Sequence, residues 1–172
     1  MRNAPYYMLL LALCLAFGAA KARGADAAGP LRTMVSIAPQ QYFVQKIGGG
    51  HVSAALMVPE GASPATFDPS AGKIRELAGA ALYFSIGVPF EKRWLDKFAH
   101  ANPRMKIVAT HAGIERLPMG SGHHRHGAPD PHVWLSPHLV GIQARNILWA
   151  LCRADPERKA AYEANYARFM GE

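Results

Sequence analysis

Cysteine is scarce in this chain of 172 residues: there are two, Cys14 and Cys152. Cys14 lies inside an apolar N-terminal run, so the rest of the chain has a single thiol and no means of forming an internal disulfide. Cys152 falls within the helical pattern Ile147, Leu148, Leu151, which suits a buried structural thiol better than a reactive one. Catalytic signatures are missing as well. The sequence contains no G-x-S-x-G elbow, no G-x-x-x-x-G-K phosphate loop, no H-E-x-x-H helix and no C-x-x-C pair. The run Gly48-Gly49-Gly50 closes a helical pattern, whereas a phosphate cradle would open one. No nucleophile stands beside a base, and the chain reads as a non-enzyme.

Clustered charge is also lacking. Lysine and arginine outnumber acidic residues 19 to 12, giving a formal charge of +7, yet they are scattered along the chain. A nucleic-acid footprint would gather them on one segment, so no nucleic-acid partner is expected. Long apolar runs are limited to one, from Tyr6 to Ala20 behind Met1-Arg2. It is shorter than the roughly 20 residues that span a bilayer. It is followed by Ala20-Lys21-Ala22 and Ala25-Asp26-Ala27, which offer A-x-A cleavage sites. Residues 1–22 therefore read as a secretory signal peptide and residues 23–30 as a mobile leader. Leu13 stands before Cys14 where a lipoprotein box would place a small residue.

The chain is half hydrophobic in composition and, apart from this run, long enough for one domain with a real core. Short apolar segments over 31–38, 51–58, 80–86 and 105–109 read as buried strands. They alternate with helical patterns over 40–47, around Ile74 and Leu77 behind a Ser70 cap, and over 89–99. Such alternation predicts an α/β fold, a parallel four-stranded sheet flanked by helices. Phe90, Trp94 and Phe98, four apart, are expected to pack into the core. Two more helices are predicted, one from about Leu139 to Arg153 and one from Asp155-Pro156 to the end. The last would leave Tyr162, Tyr166 and Phe169 exposed, as in a chain cut off in mid-helix.

Histidine is the conspicuous residue. His123, His124 and His126 lie in a short loop that runs through Gly127 and Pro129 into Asp130-Pro131-His132-Val133-Trp134-Leu135-Ser136-Pro137. Imidazole binds Zn, Cu, Ni or Fe at neutral pH, so the three loop histidines suit flexible metal capture. Pro131 restricts Asp130 to extended geometry, and the apolar residues that follow suit burial; a strand-like segment with His132 aimed inward is expected. His51, His100, His111 and His138 have no partner at ligand spacing and read as ordinary surface or strand-end residues. A zinc site needs three or four ligands, so the residues present make an incomplete one.

The order of Ser36-Ile37-Ala38-Pro39, Ile47-Gly48-Gly49, Met57-Val58-Pro59-Glu60-Gly61-Ala62-Ser63-Pro64, a histidine loop and the Asp130 to Pro137 motif carries a resemblance. The chain resembles the metal-binding proteins of zinc and manganese ABC importers, the cluster A-I or ZnuA/TroA-like family. The resemblance implies one lobe of a two-lobed periplasmic binding protein. That lobe would span residues 31–137, with its histidine loop at 119–129, and residues 138–172 would be a helical segment that starts a long linking helix. It further implies a monomer that binds a divalent metal ion, Zn2+ or alternatively Mn2+, and passes it to the membrane permease. His132 falls on the family's D-P-H ligand, and His123, His124 and His126 on the histidine-rich loop of zinc-type members. The family's other ligand of this lobe follows the G-A-S-P turn, where this chain has Ala65. Asp68, Gln41 or a loop histidine would then be the substitute donor. Members of the same family also serve in extracellular adhesion, and a remnant without its second lobe would be inactive.

Overall fold

A computed structural model describes residues 29–119 and 129–172. The expectations for residues 1–22, for most of the 23–30 leader and for His123, His124 and His126 lie outside the described residues. Among the described residues no helix is long and apolar enough to cross a membrane.

The chain alternates strands and helices as expected. Strand β1 (Leu31–Val35) is followed by helix α1 (Ala38–Gly48), β2 (Val52–Leu56), α2 (Ala71–Leu77), β3 (Leu82–Ser85), α3 (Glu91–Ala101) and β4 (Lys106–Ala109). A 3-10 turn (Val133–Leu135) then leads into α4 (Pro137–Ala154), a second 3-10 turn (Pro156–Arg158) and α5 (Lys159–Gly171). All strand pairings are parallel, in the order β2-β1-β3-β4.

Each strand is shorter than its apolar pattern. The Ser36 N–H still reaches the Phe84 carbonyl on β3 at 3.2 Å, but it is shared with the Gln40 side chain at 3.1 Å, which also accepts the Ile37 N–H at 3.3 Å as Pro39 opens α1. Helix α1 stops where the glycines begin, since Gly49 takes a φ of +56° that other residues rarely adopt. Ser70 caps α2 as predicted, its Oγ accepting the Lys73 N–H at 3.3 Å.

Side chains that alternate along the strands feed two cores, one on each face of the sheet. Met34 and Tyr83 point to one face, where α2 and α3 bring Leu77, Phe90 and Phe98, with Trp94 partly buried at the margin. Val35, Leu82 and Phe84 point to the other, where α1, α4 and α5 supply Val44, Ile47, Ile147, Leu151 and Tyr162. Cys152 is partly buried beside this second core, and burial raises its thiol pKa, as befits an inert thiol.

Two expectations need correction. The aromatic stripe of the last helix is not exposed: Tyr162 is fully buried, and Tyr166 and Phe169 pack against the second core. The chain turns at Asp155-Pro156 and carries α5 back along α1, where Phe169 meets the Phe43 ring at 5.9 Å and Asn165 donates to the Ile47 carbonyl at 3.1 Å. The segment after Pro131 is a 3-10 turn and not strand-like, because the Val133 and Leu135 N–H groups bond back to the Pro131 and His132 carbonyls.

Candidate metal-binding edge

In open parallel sheets ligands settle at the carboxyl ends of the strands, where successive connections leave in opposite directions. Here that reversal falls between β1 and β3, and the crevice is filled from within. Glu91 opens α3 and is only 2% exposed. Its Oε1 accepts the Ser36 hydroxyl at 2.5 Å and the Ile86 N–H at 2.9 Å, and its Oε2 accepts the Gly87 N–H at 2.6 Å. With Ser36 donating to the carboxylate, the Tyr83 hydroxyl, 2.7 Å from Ser36 Oγ, donates to Ser36 in turn. Burial pushes the Glu91 carboxyl above its ordinary pKa, opposed by these hydrogen bonds and by Arg116, and burial pushes the Tyr83 hydroxyl up as well. Gln40 extends the network by donating to Thr110 Oγ1 at 3.0 Å, and Thr110 donates to the Ser85 carbonyl at 2.8 Å. The ends of β1, β3 and β4 are thereby knotted together.

His132 sits on the same edge, just before the 3-10 turn whose Val133 is buried in the first core. Its imidazole is not aimed inward: the His132 and Asp130 side chains are 52% and 43% exposed. The single oxygen Asp130 Oδ1 accepts both the His132 backbone N–H at 3.0 Å and the ring Nδ1 at 2.6 Å. A carboxylate can only accept, so Nδ1 carries a proton, and in the neutral ring Nε2 then keeps its lone pair. These two bonds, the backbone one foremost, hold the Asp130 carboxyl below its ordinary pKa. A carboxylate on the far nitrogen is the arrangement that orients metal-binding histidines. Sequence reasoning gave Asp130 no role of its own; the signal was an aspartate two residues before the histidine, within reach of that residue's N–H.

The loop that carries Ala65 reaches this edge too. The Phe90 N–H bonds the Pro64 carbonyl at 3.2 Å, and Phe67 packs edge-on against Phe90 at 5.6 Å. Ala65 is exposed and has no side-chain donor atom. Asp68 is engaged elsewhere, accepting Trp94 Nε1 at 2.9 Å and Arg93 at 3.3 Å, and the Trp94 bond foremost holds its carboxyl low. Gln41 donates to the Ala54 carbonyl on β2 at 2.7 Å. Among the described residues no three of His, Cys, Asp and Glu converge on a point that could hold a metal ion.

His111 stands just past the end of β4, half-buried, with a buried Nδ1 that has no hydrogen-bond partner among the described residues. Burial, with the Arg116 charge second, pushes its pKa down to about 4, so it is neutral at pH 7. His100 bonds the Asp96 carbonyl at 2.6 Å, His51 packs against Tyr162, and His138 is exposed at the start of α4. A groove of about 780 Å3 runs between α4 and the β3–β4 face, beside Leu82, Val108, Trp149 and Arg153, and contains none of the candidate metal residues.

Comparison with known proteins agrees with this architecture. Residues 34–172 match the family model described as ZnuA, zinc-uptake complex component A, periplasmic. The metal ABC transporter substrate-binding lipoprotein SsaB of Streptococcus sanguinis is 26% identical over 170 residues, a match covering 95% of this chain and 55% of that protein. The manganese ABC transporter substrate-binding lipoprotein scaA of Streptococcus gordonii is 27% identical, with 74% of this chain and 43% of that protein covered. A crystal structure of a ZnuA deletion mutant with zinc bound superposes with a TM-score of 0.77 at 41% identity, covering 83% of this chain and 54% of that one. The Mn-bound periplasmic metal binding protein from candidatus liberibacter asiaticus, at 21% identity and a TM-score of 0.74, shares the fold. The chain thus spans about half the length of these relatives, as one lobe of such a protein would. These are transport proteins and not enzymes, and the chain belongs to the ZnuA family of metal-binding solute-binding proteins.

Proposed function

We propose that this chain forms the first lobe of an extracytoplasmic solute-binding component that takes up zinc and hands it to the membrane permease of an ABC importer. One observation carries the reading: the Asp130–His132 pair sets an imidazole on the exposed sheet edge with Nδ1 bonded to Asp130, so that Nε2 of the neutral ring, which has no hydrogen-bond partner among the described residues, can take a metal. Residues 31–137 make the lobe, residues 138–172 lead toward a second one, and residues 1–22 direct export. His132 is the ligand this lobe contributes, and His123, His124 and His126 gather metal near it. The remaining ligands come from a second lobe that closes over the edge, since a zinc site needs three or four and Ala65 supplies none. Histidine donors favour zinc over manganese, which prefers carboxylate oxygens. The protein works as a monomer.

Calorimetric titration at neutral pH with zinc and with manganese tests this. Three proteins are compared: the wild-type chain from residue 23, His132→Ala, and a variant with alanine at positions 123, 124 and 126. The proposal expects zinc binding that His132→Ala abolishes or weakens at least tenfold. Binding lost only in the triple variant would mean that the chain scavenges zinc through its loop and that His132 is not a ligand.

A further inference from the structure

We infer that Arg116, clamped over Gly87 and opposed by Glu91, is a positioning residue that sets the orientation and tautomer of His132 through Asp130. Two sets of hydrogen bonds, joined by the Arg116–Leu117 peptide bond, link them. Glu91 holds the Ile86 and Gly87 N–H groups from inside the fold, at 2.9 and 2.6 Å. Arg116 holds the carbonyls of the same two residues, donating to Ile86 at 2.7 Å and to Gly87 at 3.4 Å. The two residues thus grip opposite sides of one stretch of backbone. Gly87 permits it twice over: its φ is +85°, and a Cβ there would collide with the guanidinium.

The grip matters at the next residue. The Leu117 carbonyl accepts the Asp130 N–H at 2.7 Å, and Pro118 pairs with Pro129 as an antiparallel bridge. Asp130 is therefore seated on the short segment that Arg116 pins to the end of β3, and Asp130 Oδ1 in turn holds both N–H groups of His132. The guanidinium charge also acts on Glu91 and on Asp130 together, so one cation serves the buried acid and the exposed one. A planar fork that spans two adjacent carbonyls is a task for arginine, since the lysine ammonium offers a point charge without that fixed geometry.

The test reads His132 directly, without metal. Long-range 1H–15N NMR of the imidazole at pH 8 is expected to show the Nδ1–H tautomer in the wild-type chain. In Arg116→Gln it is expected to show a mixture with Nε2–H, and in Arg116→Lys a smaller shift in the same direction. Zinc titration of the same proteins should show an affinity loss of about tenfold for Arg116→Gln, the lower end for residues that orient a ligand. A folded Arg116→Gln whose His132 keeps the wild-type tautomer would overturn the inference, and if that variant does not fold, an unchanged tautomer in Arg116→Lys would do the same. The zinc measurement rests on the proposed function and the tautomer measurement does not. Absence of wild-type zinc binding together with a shifted tautomer would refute the metal site and leave the positioning role standing.

Discussion

Two polar constellations share the carboxyl edge of the sheet and differ in what they leave unpaired. In the Glu91 knot, a buried carboxylate takes one hydroxyl and two N–H groups and has no open side. In the Asp130–His132 pair, half in solvent, the carboxylate claims one ring nitrogen and the other has no hydrogen-bond partner among the described residues. Burial with full satisfaction marks a scaffold, because any ligand would have to displace bonds made in a low-dielectric interior. Partial exposure with one directed lone pair marks a binding group.

Substitutions can break that contrast or sharpen it. Glu91→Ala should be the most damaging, since it strands the Ile86 and Gly87 N–H groups and the Ser36 hydroxyl inside the core. A loss of about 3–5 kcal/mol is expected, read as a lower urea midpoint. Glu91→Gln, which keeps one acceptor, should lose less. Next comes acid. His111 has a folded-state pKa of about 4, below its ordinary 6.5, so the unfolded chain binds the extra proton. The stability it contributes is complete above pH 6.5, falls as the pH drops toward 4, and is constant below that. With part of the ring reached by solvent, the loss between pH 7 and 4 should be about 1–2 kcal/mol. His111→Gln should abolish it, seen as the difference between two stability–pH curves.

Ser70→Ala removes the α2 cap, outside the Glu91 network, and should cost about 1 kcal/mol without touching metal binding. His132→Ala and Asp130→Asn should have the smallest structural effect, within about 0.5 kcal/mol, because both side chains are substantially exposed. They should nevertheless act on zinc where Ser70→Ala does not, with Asp130→Asn weakening it about 10- to 100-fold. A knot variant that lost zinc while keeping its stability, or a His132 variant that unfolded, would reverse the assignment of the two regions.

Much of this was legible in the residues. The strands announced themselves through buried apolar runs, the helix stop through Gly48-Gly49-Gly50, and the α2 cap through Ser70, since each depends on local chemistry. The Phe90, Trp94, Phe98 spacing likewise foretold a core face. Tyr162 was misjudged because the partner that buries it, α1, lies more than a hundred residues upstream, and periodicity names a buried face without naming its cover. Glu91 was invisible for the same reason: Ser36 is 55 positions away, and a glutamate at a helix start ordinarily faces water. The direction of His132 was misread from its apolar neighbours. Val133 is indeed buried, but the 3-10 turn rotates Leu135 and His132 outward.

Whether His132 is a zinc ligand is read most directly by locating zinc on the protein, by anomalous scattering from crystals grown with one equivalent of zinc. A metal peak is expected about 2.0–2.1 Å from Nε2 of His132, with Asp130 still bonded to Nδ1. Zinc held at another place, with His132 Nε2 facing only solvent, would contradict it.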